Sequence, residues 1–102
     1  MVDRSAVKIL VVDDEPFILK LHERALVNLG FTSVTTSESA LRALESMDDA
    51  AIPPDLILLD LNMPDMDGVE FVRYLVKRGY QGSLILLSGE DERVLQTAEK
   101  LV

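Results

Sequence analysis

Three aspartates follow or end two mainly apolar segments of this 102-residue sequence. Asp13 and Asp14 come directly after the segment VKILVV, and Asp60 closes the segment LILLD. Short apolar runs that are rich in β-branched residues and bounded by polar residues or proline are typical of buried strands. A carboxylate at the end of such a strand is partly desolvated, so it needs a compensating charge.

The carboxyl ends of neighbouring parallel strands meet at one edge of a sheet, which would bring these three side chains together. Three carboxylates within several ångströms repel one another unless they are protonated or bridged by a cation. Mg²⁺ is the expected bridge, because it favours carboxylate and carbonyl oxygens and retained waters. The alternative is that Asp13 and Asp14 only cap a helix that begins at Pro16.

The elements that must position these residues alternate along the chain. Strands are predicted at residues 7–12, 31–36, 56–60 and 83–88. Four apolar stripes predict the helices: Ile18, Leu21, Ala25 and Leu29; Ala40, Ala43, Leu44 and Met47; Phe71, Val72, Leu75 and Val76; Val94, Leu95, Ala98, Leu101 and Val102. Gly30 and Gly79 are placed to end the first and third helices.

This βαβαβαβα order predicts an α/β fold with a doubly wound parallel sheet of flavodoxin type. Right-handed crossovers give the strand order 2-1-3-4, with a switch point between strands one and three. Ligands bind at such points, and the three aspartates lie there.

The composition argues against a nucleic-acid-binding protein and against a membrane protein. The chain is the size of one domain, contains no cysteine and has a formal charge of −8, which argues against direct nucleic-acid binding. It has no apolar run long enough for a membrane span or signal peptide, so we expect a cytoplasmic protein without membrane association. His22 flanks the first apolar stripe, and its position predicts a structural role.

Three motifs, taken in order, resemble the receiver domains of bacterial two-component response regulators: VVDDEP, LLDLNMPDMDG and LLSGE. The resemblance implies that Asp60 accepts a phosphoryl group from a sensor histidine kinase or phosphotransfer protein. It also implies that Asp14 binds Mg²⁺ directly, Asp13 mainly through water, and Asn62 through its backbone carbonyl. Such a domain is a signalling receiver that catalyses only its own phosphorylation and dephosphorylation.

The same resemblance assigns roles to residues in the other loops. Ser88 would donate its hydroxyl to a phosphoryl oxygen, and Gly89 would leave room for the phosphoryl group. Asn62 and Glu90 would tune hydrolysis, and their residue types resemble receivers with short-lived phosphorylation. Two further residues, Pro64 and Gly68, would shape the loop after Asp60 without entering the reaction.

By this resemblance, residues 1–102 are expected to form one receiver domain without the family's last strand and helix, including the lysine of the fifth strand. Lys100 lies in the fourth helical pattern and is no substitute. We therefore expect strand 83–88 to form an open sheet edge and the chain to self-associate through it. Output would lie in a separate domain or partner protein.

Alternative functions differ in what the first loop must contain. A flavin-binding protein of this architecture needs a Ser/Thr/Gly-rich phosphate loop where this chain has DDEP, and an acid phosphatase needs D-x-D rather than adjacent acids. The main alternative is a phosphorylation-independent protein-interaction module.

Overall fold

A computed structural model describes residues 3–49, 52–60 and 68–87 of the chain. A short 3-10 turn, Arg4–Ala6, precedes the first strand. The strands are β1 (Lys8–Val12), β2 (Ser33–Ser37), β3 (Leu56–Asp60) and β4 (Ser83–Leu87). The helices are α1 (Pro16–Asn28), α2 (Ala40–Asp49) and α3 (Gly68–Lys77). The predicted fourth helix lies outside the described residues.

The four strands form one parallel sheet in the order β2-β1-β3-β4, which confirms the predicted topology. Val12 at the end of β1 pairs with Ser37 of β2 and with Leu59 of β3. The carboxyl ends of β1 and β3 are therefore level, one residue before Asp13 and Asp60 respectively. Among the described strands β4 has β3 as its single neighbour, so it forms the predicted edge.

Most of the core lies between the sheet and the pair α2 and α3. Alternate residues of the strands point to this face, and Phe71 of α3 packs against them with no solvent exposure. The cluster consists of Leu10, Val12, Ala40, Ala43, Leu44, Ile57, Leu59, Phe71, Leu75, Leu84 and Leu86. The predicted apolar stripes of α2 and α3 supply most of the helical side of this core.

The predicted inward face of α1 is wrong. Leu19 is the buried residue of this helix, with Leu26 packed behind it, whereas Leu21, Ala25 and Leu29 of the predicted stripe are exposed. Apolar residues cover more than one side of α1, so their spacing alone is compatible with the burial of either of two adjacent faces. Packing against β1 and β2 selects the face that carries Leu19.

Proline and glycine mark the ends of helices α1 and α3. Pro16 is the first residue of α1, and Gly30 has a φ of 100° just after the helix. Gly79 has a φ of 67° just after α3, so both predicted helix stops are confirmed. Strand β2 is shifted from the predicted 31–36, because Phe31 still belongs to the turn: its N–H donates to the carbonyl of Leu26.

A tyrosine joins β3 and β4 at the amino edge of the sheet. The Tyr80 hydroxyl donates to the carbonyl of Pro54 at 2.7 Å. A Cβ on Gly82 would collide with this phenol, so the glycine makes room for it. Burial, and secondarily the charge of Asp55, raises the pKa of Tyr80 to about 12. The phenol therefore stays a hydrogen-bond donor throughout the neutral range.

Tyr80→Phe is expected to lower the free energy of unfolding by about 1 kcal/mol, since it removes the partner of the Pro54 carbonyl. Urea unfolding at neutral pH and at pH near 9 should give the same loss, because the phenol is protonated at both. Tyr74→Phe is the matched control, because Tyr74 is more exposed and its ring lies over Arg78. Equal effects of the two substitutions would contradict the assigned role of the Tyr80 hydrogen bond.

Candidate metal centre

Asp13, Asp14 and Asp60 form one acidic cluster at the carboxyl edge of the sheet. Each carboxylate offers an oxygen, and the three oxygens lie within 4.8 Å of one another. Asp13 is buried with 7% of its surface exposed, Asp60 is half-buried and Asp14 is exposed. The predicted convergence of these three residues is confirmed.

The backbone around Asp13 explains how its side chain is held. Its N–H donates to the carbonyl of Ser37 at 3.1 Å and so extends the pairing of β1 with β2. Its Oδ1 accepts a hydrogen bond from the N–H of Glu15 at 3.0 Å, in the turn before α1. Glu15 is the N-cap residue of α1, so Asp13 and Asp14 do not occupy the cap position of that helix. The structure therefore contradicts the alternative that Asp13 and Asp14 only cap the helix that begins at Pro16.

The electrostatics of the cluster favour a bound cation. Burial is the largest cause that raises the pKa of Asp13, and the negative charges of Asp60 and Asp14 raise it further. The hydrogen bond from the Glu15 N–H and the charge of His22 act in the opposite direction. The ionised form of Asp13 is thus penalised in the metal-free protein, and a cation between the carboxylates would relieve that penalty.

His22 has a small electrostatic influence on the acidic cluster. It is half-buried on α1, its charge acts on Asp13, and its Nδ1 is buried with no hydrogen-bond partner in the described part of the chain. The sequence prediction of a structural role for His22 did not include this electrostatic influence. The position of His22 in the sequence did not indicate this influence, because the surroundings of His22 depend on how α1 packs against the sheet.

The donor set fits a hard divalent cation. It consists of carboxylate oxygens, and its mixture of one buried, one half-buried and one exposed side chain leaves solvent access for metal-bound waters. Mg²⁺ is bound in proteins by one or two carboxylates and several waters in this way. Asp13, Asp14 and Asp60 are therefore the residues that would hold it.

The other predicted site residues lie mostly outside the described residues: Asn62, Pro64, Ser88, Gly89 and Glu90. Their roles as ligand, loop-shaping, phosphoryl-binding and hydrolysis-tuning residues stay predictions. Gly68 is described and is the buried first residue of α3. This position is compatible with its predicted role in the loop that leads from Asp60 into α3.

The parallel 2-1-3-4 sheet and the acidic cluster at its switch point are the features that the sequence motifs predicted for a signalling receiver domain. The chain belongs to the response regulator receiver domain family, whose model matches residues 9–101. No helix of the described residues has the length and apolar character needed to cross a membrane.

Individual relatives differ in how much of their own length the chain covers. The chain is 37% identical over 87 residues to the alkaline phosphatase synthesis transcriptional regulatory protein PhoP of Bacillus subtilis, with 83% of this chain and 34% of PhoP covered. It is 30% identical over 94 residues to the chemotaxis protein CheY of the same organism, with 90% of this chain and 77% of CheY covered. The chain thus spans about a third of the length of PhoP.

Solved structures of similar fold include two complexes with beryllium fluoride. The MaeR response regulator bound to beryllium trifluoride has a TM-score of 0.74 at 26% identity, and the match covers 91% of this chain and 77% of MaeR. The receiver domain of the histidine kinase CKI1 from Arabidopsis thaliana, complexed with Mg²⁺ and BeF₃⁻, has a TM-score of 0.73 at 25% identity, with 97% and 78% covered.

Proposed function

We propose that this chain receives a phosphoryl group on Asp60 from a sensor histidine kinase or phosphotransfer protein. Convergence of three carboxylates at the switch point is the observation that carries the proposal, because it combines a nucleophile with a cation site. Family membership supports the same role, and the complexes named above show phosphoryl mimics bound to similar proteins.

The reaction is a displacement at phosphorus. The Asp60 carboxylate attacks the phosphorus of a phosphohistidine, an acyl phosphate forms, and the P–N bond breaks with the electron pair returning to the imidazole. Mg²⁺, when bound, supplies positive charge that offsets the repulsion between two anionic reactants. Asp13, Asp14 and Asp60, with the Asn62 carbonyl, would hold the cation.

Residues after β3 and β4 complete the proposed site. Ser88 would donate a hydrogen bond to a phosphoryl oxygen, and Gly89 would leave space beside it. Asn62 and Glu90 would allow water to reach the acyl phosphate, which gives a short-lived phosphorylated state. Apart from this self-catalysed chemistry, the domain transmits a signal and turns over no substrate.

The phosphorylated chain would act on an output domain or a partner protein in the cytoplasm, without direct contact with nucleic acid or membrane. The sequence also predicts self-association through strand 83–88, and the edge position of β4 is compatible with it. A phosphorylation-independent interaction module is the second candidate. The exposed apolar side chains of α1, including Phe17 and Leu21, favour it.

Acetyl phosphate with Mg²⁺ tests the proposal. Intact-mass spectrometry is expected to show the addition of one phosphoryl group to the parent chain and none to Asp60→Asn. Asp55→Asn is the matched control, because Asp55 directly precedes the same strand at its opposite end. A parent chain that stays unmodified would favour the interaction module, and modification of Asp60→Asn would show that another residue is the acceptor.

A further inference from the structure

The last hydrogen bond between strands β1 and β2 reaches the acidic cluster. It joins the N–H of Asp13, one residue beyond the end of β1, to the carbonyl of Ser37, the last residue of β2, at 3.1 Å. Terminal hydrogen bonds of a sheet open more easily than central ones, because no further pair follows them. Whatever restrains the Ser37 carbonyl therefore also restrains the backbone that carries the Asp13 carboxylate.

The Ser37 side chain restrains this carbonyl by closing the turn that follows it. Its hydroxyl donates to the carbonyl of Ser39 at 2.9 Å, and the N–H of Ser39 donates to the same hydroxyl oxygen at 3.4 Å. Both serines are half-buried. The hydroxyl thus links the residues on either side of Glu38 and fixes the direction in which the chain leaves β2.

The far end of this turn is anchored at the start of α2. The Ser39 hydroxyl accepts a hydrogen bond from the N–H of Arg42 at 3.3 Å, and the Ser39 carbonyl accepts one from the N–H of Ala43 at 3.0 Å. Ala40 and Ala43 are buried, with 1% and 0% of their surface exposed, and belong to the main core. The Ser37 hydroxyl is therefore tied to the first turn of a packed helix.

Asp13 is consequently held at two points. The Ser37 carbonyl accepts its backbone N–H, and the N–H of Glu15 donates to its Oδ1. Asp13 is only 7% exposed, so solvent cannot compensate for a wrong orientation of its carboxylate. In metal sites, groups that orient a ligand without touching the ion contribute strongly to affinity. The support of the Asp13 backbone is therefore expected to affect cation binding.

We propose that Ser37 is a positioning residue of the metal centre: by holding the turn after β2, it orients Asp13 for the cation. This inference rests on the proposed function, because it takes Asp13, Asp14 and Asp60 as the residues that would hold Mg²⁺. Ser37 acts through its own carbonyl and the Asp13 backbone, without contact between its side chain and the ion. None of the three sequence motifs contains Ser37, so the family resemblance assigns it no role.

Ser37→Ala is expected to raise the dissociation constant for Mg²⁺ about three- to tenfold, which is less than the roughly 10–100-fold typical of groups that hydrogen-bond a metal ligand directly. Thermal unfolding at increasing Mg²⁺ concentration gives this constant, and the metal-free melting temperature reports stability separately. Ser33→Ala is the matched control. Ser33 is half-buried in the same strand, and its hydroxyl donates to the carbonyl of Ser5 at 3.1 Å, at the end of β2 away from the cluster.

Ser37→Thr keeps the hydroxyl and should keep the Mg²⁺ dissociation constant of the parent. Hydrogen exchange of the Asp13 amide in the metal-free protein should accelerate in Ser37→Ala but not in Ser37→Thr or Ser33→Ala. Equal Mg²⁺ affinity of Ser37→Ala and the parent would overturn the inference and leave the proposed metal site intact, and so would an equal loss of affinity in Ser33→Ala. A parent chain that Mg²⁺ does not stabilise would overturn both the metal site and this inference.

Discussion

Phe71→Ala is expected to lower the free energy of unfolding by about 3–5 kcal/mol, which is a large part of the stability of a domain of this size. Phe71 has no solvent exposure and is the largest of the fully buried side chains described. It packs in the cluster between the sheet and helices α2 and α3. Truncation removes its apolar contacts and leaves a cavity that rigid strands cannot fill.

Chemical denaturation of the parent and the variant measures this loss. Val69→Ala is the matched control on the same helix, since Val69 is 63% exposed and its truncation should change stability by less than about 0.5 kcal/mol. The loss in the free energy of unfolding for Phe71→Leu should lie between the losses for Phe71→Ala and Val69→Ala. A loss for Phe71→Ala no larger than that for Val69→Ala would mean that α3 does not pack against the sheet as described.

Millimolar Mg²⁺ is expected to raise the free energy of unfolding by roughly 1–3 kcal/mol, for concentrations about ten to one hundred times the dissociation constant. The cation binds the folded cluster of Asp13, Asp14 and Asp60 and has no comparable site in the unfolded chain. Asp14→Ala should abolish the shift in melting temperature. Asp49→Asn, which removes an exposed charge at the end of α2, should keep it.

Without metal, the same cluster should destabilise the folded state at neutral pH. The pKa of Asp13 is raised in the folded protein, so its unfavourable contribution is absent below the unfolded pKa and complete above the folded pKa. The metal-free parent should therefore lose stability as this group ionises. Asp13→Asn should remove the loss, because the amide oxygen can still accept the Glu15 hydrogen bond without carrying charge.

Thermal unfolding across pH, with and without Mg²⁺, separates these effects. The variant Asp13→Asn should be more stable than the parent without metal at neutral pH, and the order should reverse or narrow when Mg²⁺ is added. If Mg²⁺ fails to stabilise the parent, the metal-site proposal is wrong. If Asp13→Asn destabilises the metal-free protein at neutral pH, then charge repulsion and burial do not determine the contribution of Asp13 to stability.

The sequence alone determined the features that depend on local pattern. The bounds of β3 and the stops at Gly30 and Gly79 follow from apolar runs and from residues with special backbone preferences. The 2-1-3-4 order follows from alternating elements and the handedness of crossovers. Once that order is known, the meeting of Asp13, Asp14 and Asp60 requires no further information, because all three lie at carboxyl ends of strands.

The tertiary structure decided which face of each helix is buried against the sheet. Helix α1 is apolar on two adjacent faces, and only its docking on β1 and β2 buries Leu19 and leaves Leu21 exposed. The burial of Asp13 beside an exposed Asp14 and the electrostatic influence of His22 on Asp13 likewise depend on tertiary packing, which sequence spacing does not specify. Spacing along a chain fixes the angle between side chains around a helix, but the direction in which the helix faces is set by the surface that it packs against.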